Sequence, residues 1–509
     1  MPPARRRIRP DTYLFFYFGF AFILLLTHAL YFDLPFFWDE LGQFVPAALD
    51  LFRSGAWVPR TTVPNVHPPG VMAYLAGFWL LSGYSVEATR IAMLLLASAG
   101  LLAAFLLAIE LGREDRGAPA LYAVALLCVS PLFFAQSMMA QLDMPAMVFT
   151  ALALLFFVQD RPLASAAVSA PLVLMKETGA VAPLLFAAWL IREKRPRDAA
   201  WFLIPLAALA LWLGYLTHTT GNLFGNQEFT RYNLFYQLHP FRLMVAFGRR
   251  LYFVFFEDFR WVGTVALVWA WRAGGMFRSR AWRVSAALVA AYLALLSVVG
   301  GAVLERYLLP VFPVLFAAMA AALARAAPAP RRIAQVLLAG GLAAGNIWNP
   351  PYPFPFENNL AFTDFVRLHA AAARYLERFA GSRTVTTAWP LSAALTRPDF
   401  GYVAKRIRVR ALKDFTPSSV DALEPGATDI FVLYSRDSEP TWGLFRTPLL
   451  ADLRSRFYGY QPQISGAYVE RRFGLRRVAH WQRGRQWIEI YARDAGVTLS
   501  AFTRPNRAR

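Results

Sequence analysis

Apolar residues run almost without interruption from Tyr13 to Phe32, and runs of similar length recur up to residue 348, separated by short polar or basic stretches. A helix needs about 20 consecutive apolar residues to cross a bilayer, and a helix satisfies its own backbone where no water can do so. The pattern predicts spans over 13–32, 89–110, 118–135 and 146–158, and a pair flanking 176–179. Further spans are predicted over 199–217, 251–271 and 284–303, then one ending at Arg325 and one over 333–348, which brings the total to eleven. The run 71–81 is too short to cross and predicts an interfacial or re-entrant helix, and 43–53 predicts a short helix in the loop after the first span.

Beyond Trp348 the periodicity changes. Residues 350–355 hold four prolines among aromatics, which no helix can continue through. An amphipathic helix is predicted over 362–379, and apolar strands over 384–388, 430–434 and 487–492. The expected organisation is a transmembrane domain over 1–349 followed by a soluble α/β domain over 350–509.

Composition supports this reading. Hydrophobic residues make up 57% of the 509 positions and charged residues only 17%, as expected for a polytopic α-helical membrane protein. A net charge of +20 would suit nucleic acid, but clustered Arg and Lys between apolar runs instead mark cytoplasmic loops, so no nucleic-acid partner is expected. Arg5, Arg6, Arg7 and Arg9 precede the first run, which ends without a small-residue cleavage site and reads as an uncleaved anchor with a cytoplasmic N-terminus. Eleven spans then place the C-terminal domain outside the cytoplasm, at a bacterial plasma membrane. Residues 352–509 carry 24 Lys and Arg against 14 Asp and Glu, a balance that long translocated domains tolerate. The single cysteine, Cys128, excludes a disulfide framework or a cysteine metal site.

Candidate chemistry falls in the loops assigned to the outer face. Asp39 and Glu40 follow the first span; His67 precedes Pro68-Pro69; Asp143 opens the fourth span; Lys176-Glu177 and Arg306-Tyr307 lie in later outer turns. Each has a plainer reading: Asp143 as a helix-start charge, Lys176 with Glu177 as a structural ion pair, His67 as an interfacial histidine. The aromatic loop 218–250, with Phe224, Phe229, Tyr232, Phe235, Tyr236 and His239, suits either a lid or an interfacial segment. Neither a Gly-x-Gly-x-x-Gly nor a P-loop pattern occurs.

Taken in order, Trp38-Asp39-Glu40, Leu51 to Pro59, His67-Pro68-Pro69, Asp143, Lys176-Glu177-Thr178-Gly179 and Arg306 to Pro310 resemble the polyprenyl-phosphate-sugar-dependent glycosyltransferases of the GT-C fold. The resemblance is to bacterial relatives of the protein O-mannosyltransferases and of the lipid A aminoarabinose transferase, over roughly residues 10–350. It implies inverting transfer of a sugar from a polyprenyl-phosphate carrier to a lipid, polysaccharide or protein acceptor. Asp39 matches the position of the general base, and Arg306 and Lys176 are the cations for the departing phosphate. Glu40, His67, Asp143, Glu177 and Tyr307 complete the expected substrate-binding set. Where the aminoarabinose transferase has an acid and a lysine before the paired prolines, this chain has Val66 and His67. Family members hold a divalent ion between an early-loop acid and the Asp143 position. The first ligand is missing here, so no metal site is assigned, although Asp143 with Glu40 is a possible substitute pair. A transporter or flippase, or a non-catalytic envelope assembly protein, are the other classes compatible with this pattern.

Overall fold

The structure is a computed structural model that describes residues 10–113, 119–274, 276–436 and 442–493. The basic N-terminal arginines and Glu114, Asp115 and Arg116 of the first expected cytoplasmic loop lie outside the described residues. Two compact units are present: one of residues 1–32, 43–349 and 357–359, the other of 33–42, 350–356 and 360–509.

The first unit is helical. Among the described residues, five helices are long and apolar enough to cross a membrane: Asp11–Tyr31, Val86–Leu111, Pro196–Thr220, Arg280–Val298 and Glu305–Ala324. A sixth is obtained by counting Ala120–Val129 with Pro131–Ser137 as one span bent by 71°. The eleven expected spans are therefore not eleven uninterrupted helices, and the reasons are local. Pro131 has no N–H to continue the ladder, so the third expected span turns at Ser130. The fourth to sixth are the shorter helices Asp143–Val158, Pro162–Met175 and Val181–Arg192. The 3₁₀ turn Glu177–Ala180 separates the last two. Gly70–Ser82 is the short apolar helix expected over 71–81.

The eighth expected span is also divided. Helix Pro240–Phe255 ends four residues before Arg260–Arg272 begins, and Asp258 and Phe259 between them adopt left-handed φ of 49° and 63°. Helix Pro328–Gly345 meets this break through glycines. A Cβ on Gly341 would lie 2.3 Å from the Phe259 Cβ, and one on Gly345 would lie 2.5 Å from the Asp258 carboxylate, so only glycine admits the approach. The window Glu305–Ala324 is 89% buried, which makes it the most enclosed of the five long helices.

The second unit is α/β. Strands β1 (Val385–Ala388), β2 (Val409–Leu412), β3 (Ile430–Tyr434), β4 (Arg476–Arg483) and β5 (Gln486–Ala492) form one sheet in the order β2-β1-β3-β5-β4. β1 runs parallel to β2 and β3, while β5 runs antiparallel to β3 and β4. The central β3, Ile-Phe-Val-Leu-Tyr, is buried at every position, as expected of a strand covered on both faces. Helix Ala361–Phe379 packs its apolar face on β4 and β5.

Candidate active site

The first unit gathers four of the predicted residues at the end of its most enclosed helix. The 3₁₀ turn Glu305–Val311 leads into Phe312–Ala324 and carries Arg306 and Tyr307. Asp143 opens helix Asp143–Val158, where the exposed N–H groups already favour a negative charge. Lys176 follows the end of Pro162–Met175. All three ionic side chains are buried, at 2–5% exposure, and they converge. The Lys176 ammonium donates to Asp143 Oδ1, and Arg306 Nε lies 3.2 Å from Asp143 Oδ2. The Tyr307 ring faces both cations, 4.0 Å from Lys176 Nζ and 5.5 Å from the Arg306 guanidinium carbon.

Sequence reasoning missed residues that complete this cluster. Gln141 Oε1 accepts from Arg306 Nη1 at 2.6 Å. Glu357, directly beyond the proline-rich boundary, binds the same nitrogen at 3.1 Å and is itself buried. With Glu357 included, the cluster holds two positive and two negative side chains. The available signal was the polar run 136–143 between apolar helices, and an acid at 357 immediately after the prolines. Arg90 is the other omission. Wholly buried on helix Val86–Leu111, it donates to the Met138 carbonyl at 2.9 Å and so holds the loop that presents Gln141 and Asp143. Arg90→Met should loosen that loop: thermal unfolding in detergent is expected to reveal a loss of about 1–3 kcal/mol, the usual cost of leaving a buried hydrogen-bond acceptor without its donor.

Lys176 and Glu177 turn to different partners. Glu177 Oε2 meets His67 Nδ1 at 2.9 Å, and the His67 main-chain N–H donates to Asn65 Oδ1 at 3.0 Å. Phe229 from the aromatic loop stands edge-on to the His67 ring at 5.4 Å, so that loop reaches the His67–Glu177 pair. Burial alone would raise the Glu177 carboxyl. The charge and hydrogen bond of His67, together with the Lys176 charge, outweigh it and hold the carboxyl down at about 2. A depressed native value stabilises the fold above the ordinary value near 4.5, and that contribution fades as pH falls towards about 2. Wild type should therefore melt above Glu177→Gln at pH 6, and the two melting curves should converge on acidification.

Asp39 and Glu40 belong to the second unit. Glu40 is wholly buried, and its Oε2 accepts from the Phe37 N–H at 2.9 Å, which closes the turn 37–40. Asp39 remains half-buried at the apex of that turn. Trp38 before it has φ of 46°, a costly conformation for a bulky residue. It is held against Trp389 at 4.7 Å and Phe365 at 6.0 Å, while the Phe36 carbonyl accepts from the Tyr402 hydroxyl at 2.9 Å. The strain thus fixes how the Asp39 backbone is presented.

These donors do not suit a divalent ion. The two Asp143 oxygens face Lys176 and Arg306, and Glu40 is engaged by a main-chain N–H. Among the described residues, no three His, Cys, Asp or Glu side chains come together as a metal site.

No family model and no curated protein matches the sequence. Solved structures do match in fold. ArnT from Cupriavidus metallidurans bound to undecaprenyl phosphate, a lipid A aminoarabinose transferase, superposes with a TM-score of 0.55 at 14% identity, covering 95% of this chain and 98% of that one. Its apo state gives 0.54 at 15% identity with the same coverage. The Archaeoglobus fulgidus oligosaccharyltransferase in complex with Zn and sulfate gives 0.50 at 10% identity, over 82% of this chain and 67% of that one. The apolar helical unit with its small sheet domain is thus the GT-C fold, shared over almost the whole length of the aminoarabinose transferase.

Proposed function

We propose that the protein is a membrane glycosyltransferase that moves a sugar from a polyprenyl-phosphate carrier to an acceptor outside the cytoplasm, with inversion at the anomeric carbon. The observation that carries this reading is the buried group of Lys176, Arg306 and Tyr307 around Asp143, in a chain whose fold is that of an enzyme bound to undecaprenyl phosphate. A buried pair of cations at a helix end suits a phosphate whose charge grows as it leaves.

In the proposed reaction Asp39 takes the acceptor hydroxyl proton. The acceptor oxygen forms its bond to the anomeric carbon as the bond from that carbon to the carrier phosphate breaks, and the electron pair departs on the phosphate. Arg306 and Lys176 stabilise that oxygen, Tyr307 positions the two cations, and His67 with Glu177 borders the site under the aromatic loop. Glu40 holds the turn that aims Asp39.

The test is transfer of label from a panel of radiolabelled polyprenyl-phosphate sugars to membrane acceptors by the purified protein in liposomes. One donor giving product that requires the protein supports the proposal. Donor translocation across the bilayer without a new glycosidic bond would replace it with a transporter.

A further inference from the structure

The second unit carries a helix without a buried residue. Pro448–Tyr458, 11 residues long, has Leu449 at 68% exposure, and just before it Trp442 and Leu444 stand 55% and 63% exposed. At 3.6 residues per turn, Leu449, Leu450, Leu453 and Phe457 share an arc of about 100°, flanked by Arg454 on one edge and Arg456 on the other, with Ser455 opposite. Over 442–460 the charges are Arg446, Arg454 and Arg456 against Asp452, and the aromatics are Trp442, Phe445, Phe457, Tyr458 and Tyr460. A soluble domain normally turns such a stripe inward. Here it is left half uncovered.

Two observations name its occupant. The stripe is bordered by guanidinium groups and fronted by tryptophan, the composition of helices that lie in the headgroup layer and snorkel their cations to lipid phosphates. It is also tethered along the chain to helix Pro328–Gly345, which packs on the apolar helices Ala120–Val129 and Arg260–Arg272. The Trp442 N–H donates to the Pro351 carbonyl at 3.4 Å and Phe445 lies 5.9 Å from Tyr352, while Pro351 follows the last residue of helix Pro328–Gly345 by six positions. Six residues reach about 20 Å at most, so Pro351 stays within that distance of the helix end.

We infer that residues 442–458 form an interfacial anchor that seats the α/β domain on anionic lipid headgroups, with Leu444, Leu449 and Leu453 entering the acyl boundary and Arg454 and Arg456 contacting phosphate. The anchor fixes the domain that carries Asp39 at the depth where a lipid-borne substrate presents its headgroup.

The full-length protein tests this with Cys128→Ala and a single labelling cysteine, Leu449→Cys, Leu444→Cys or Ser455→Cys. Each variant is given an environment-sensitive fluorophore and placed in nanodiscs of phosphatidylcholine alone or mixed with phosphatidylglycerol. Expected are blue-shifted emission and quenching by headgroup-proximal spin-labelled lipid at 449 and 444 but not at 455. The effect should be stronger with phosphatidylglycerol and lost in Arg454→Gln/Arg456→Gln. Water-like emission at all three sites in both discs overturns the anchor. Equal quenching with and without phosphatidylglycerol overturns the recognition of anionic lipid. Protection at 449 that arises only when a soluble acidic polymer is added assigns the face to that polymer instead.

Discussion

Asp39→Asn is expected to lower glycosyl transfer by about 10²–10⁴-fold, the usual contribution of a positioned general base, with donor affinity unchanged. Asparagine keeps the size of the side chain, and Glu40, Trp38 and Tyr402 hold the turn through contacts of their own. Asp39→Glu should retain a fraction of activity, because the proton acceptor is present but displaced. Single-turnover transfer beside equilibrium binding of the carrier phosphate separates the two effects. Full activity in Asp39→Asn would remove Asp39 from the chemistry and leave its half-buried carboxylate as part of the turn.

The second large effect is expected at the Asp143 cluster. Lys176→Met or Arg306→Met leaves a carboxylate at 2% exposure short of one cation, which costs about 3–5 kcal/mol in stability. Pairing Lys176→Met with Asp143→Leu removes both charges and should recover most of the loss, since a buried pair replaced by apolar groups is often neutral. Donor affinity is where structural and functional roles part. If Lys176 binds the carrier phosphate, the double variant regains its melting temperature but still binds polyprenyl phosphate weakly. Recovery of both would make the cluster a structural network alone.

How much was legible in the sequence differs from element to element. Strand β3 was expected over 430–434 and lies there, because a run of five apolar, mostly β-branched or aromatic residues between polar stretches has few other ways to be buried. β2 and β4 were not expected. Their sequences, Val-Arg-Ala-Leu and Arg-Arg-Val-Ala-His-Trp-Gln-Arg, belong to the two edges of the sheet, where basic side chains face water and hide the alternation. The long helices 11–31, 86–111 and 280–298 follow from hydropathy, and the break at 130 follows from the adjacent Pro131, whereas the break at 256–259 is met by glycines 82 and 87 positions further along the chain. For the break at 256–259 the close glycines are Gly341 and Gly345.

At the candidate site, residue types and order along the chain were enough to single out Asp39, His67, Asp143, Lys176, Glu177, Arg306 and Tyr307, because charges beside apolar spans are costly and so carry information. Their partners were not. Lys176 and Glu177 are adjacent, and sequence alone favours a local pair. Only the tertiary structure sends Lys176 to Asp143, 33 positions away, and Glu177 to His67, 110 positions away. The same holds for Glu357, which reaches Arg306 across 51 positions, and for Arg90, whose acceptor is a main-chain carbonyl that no composition reveals. By itself the sequence determined that this is an apolar helical protein with a separate α/β domain and charged residues in the turns between helices, since hydropathy and periodicity act locally. Which charge neutralises which was decided by tertiary structure, because a buried ion is stable only where folding brings its counter-ion within about 4 Å.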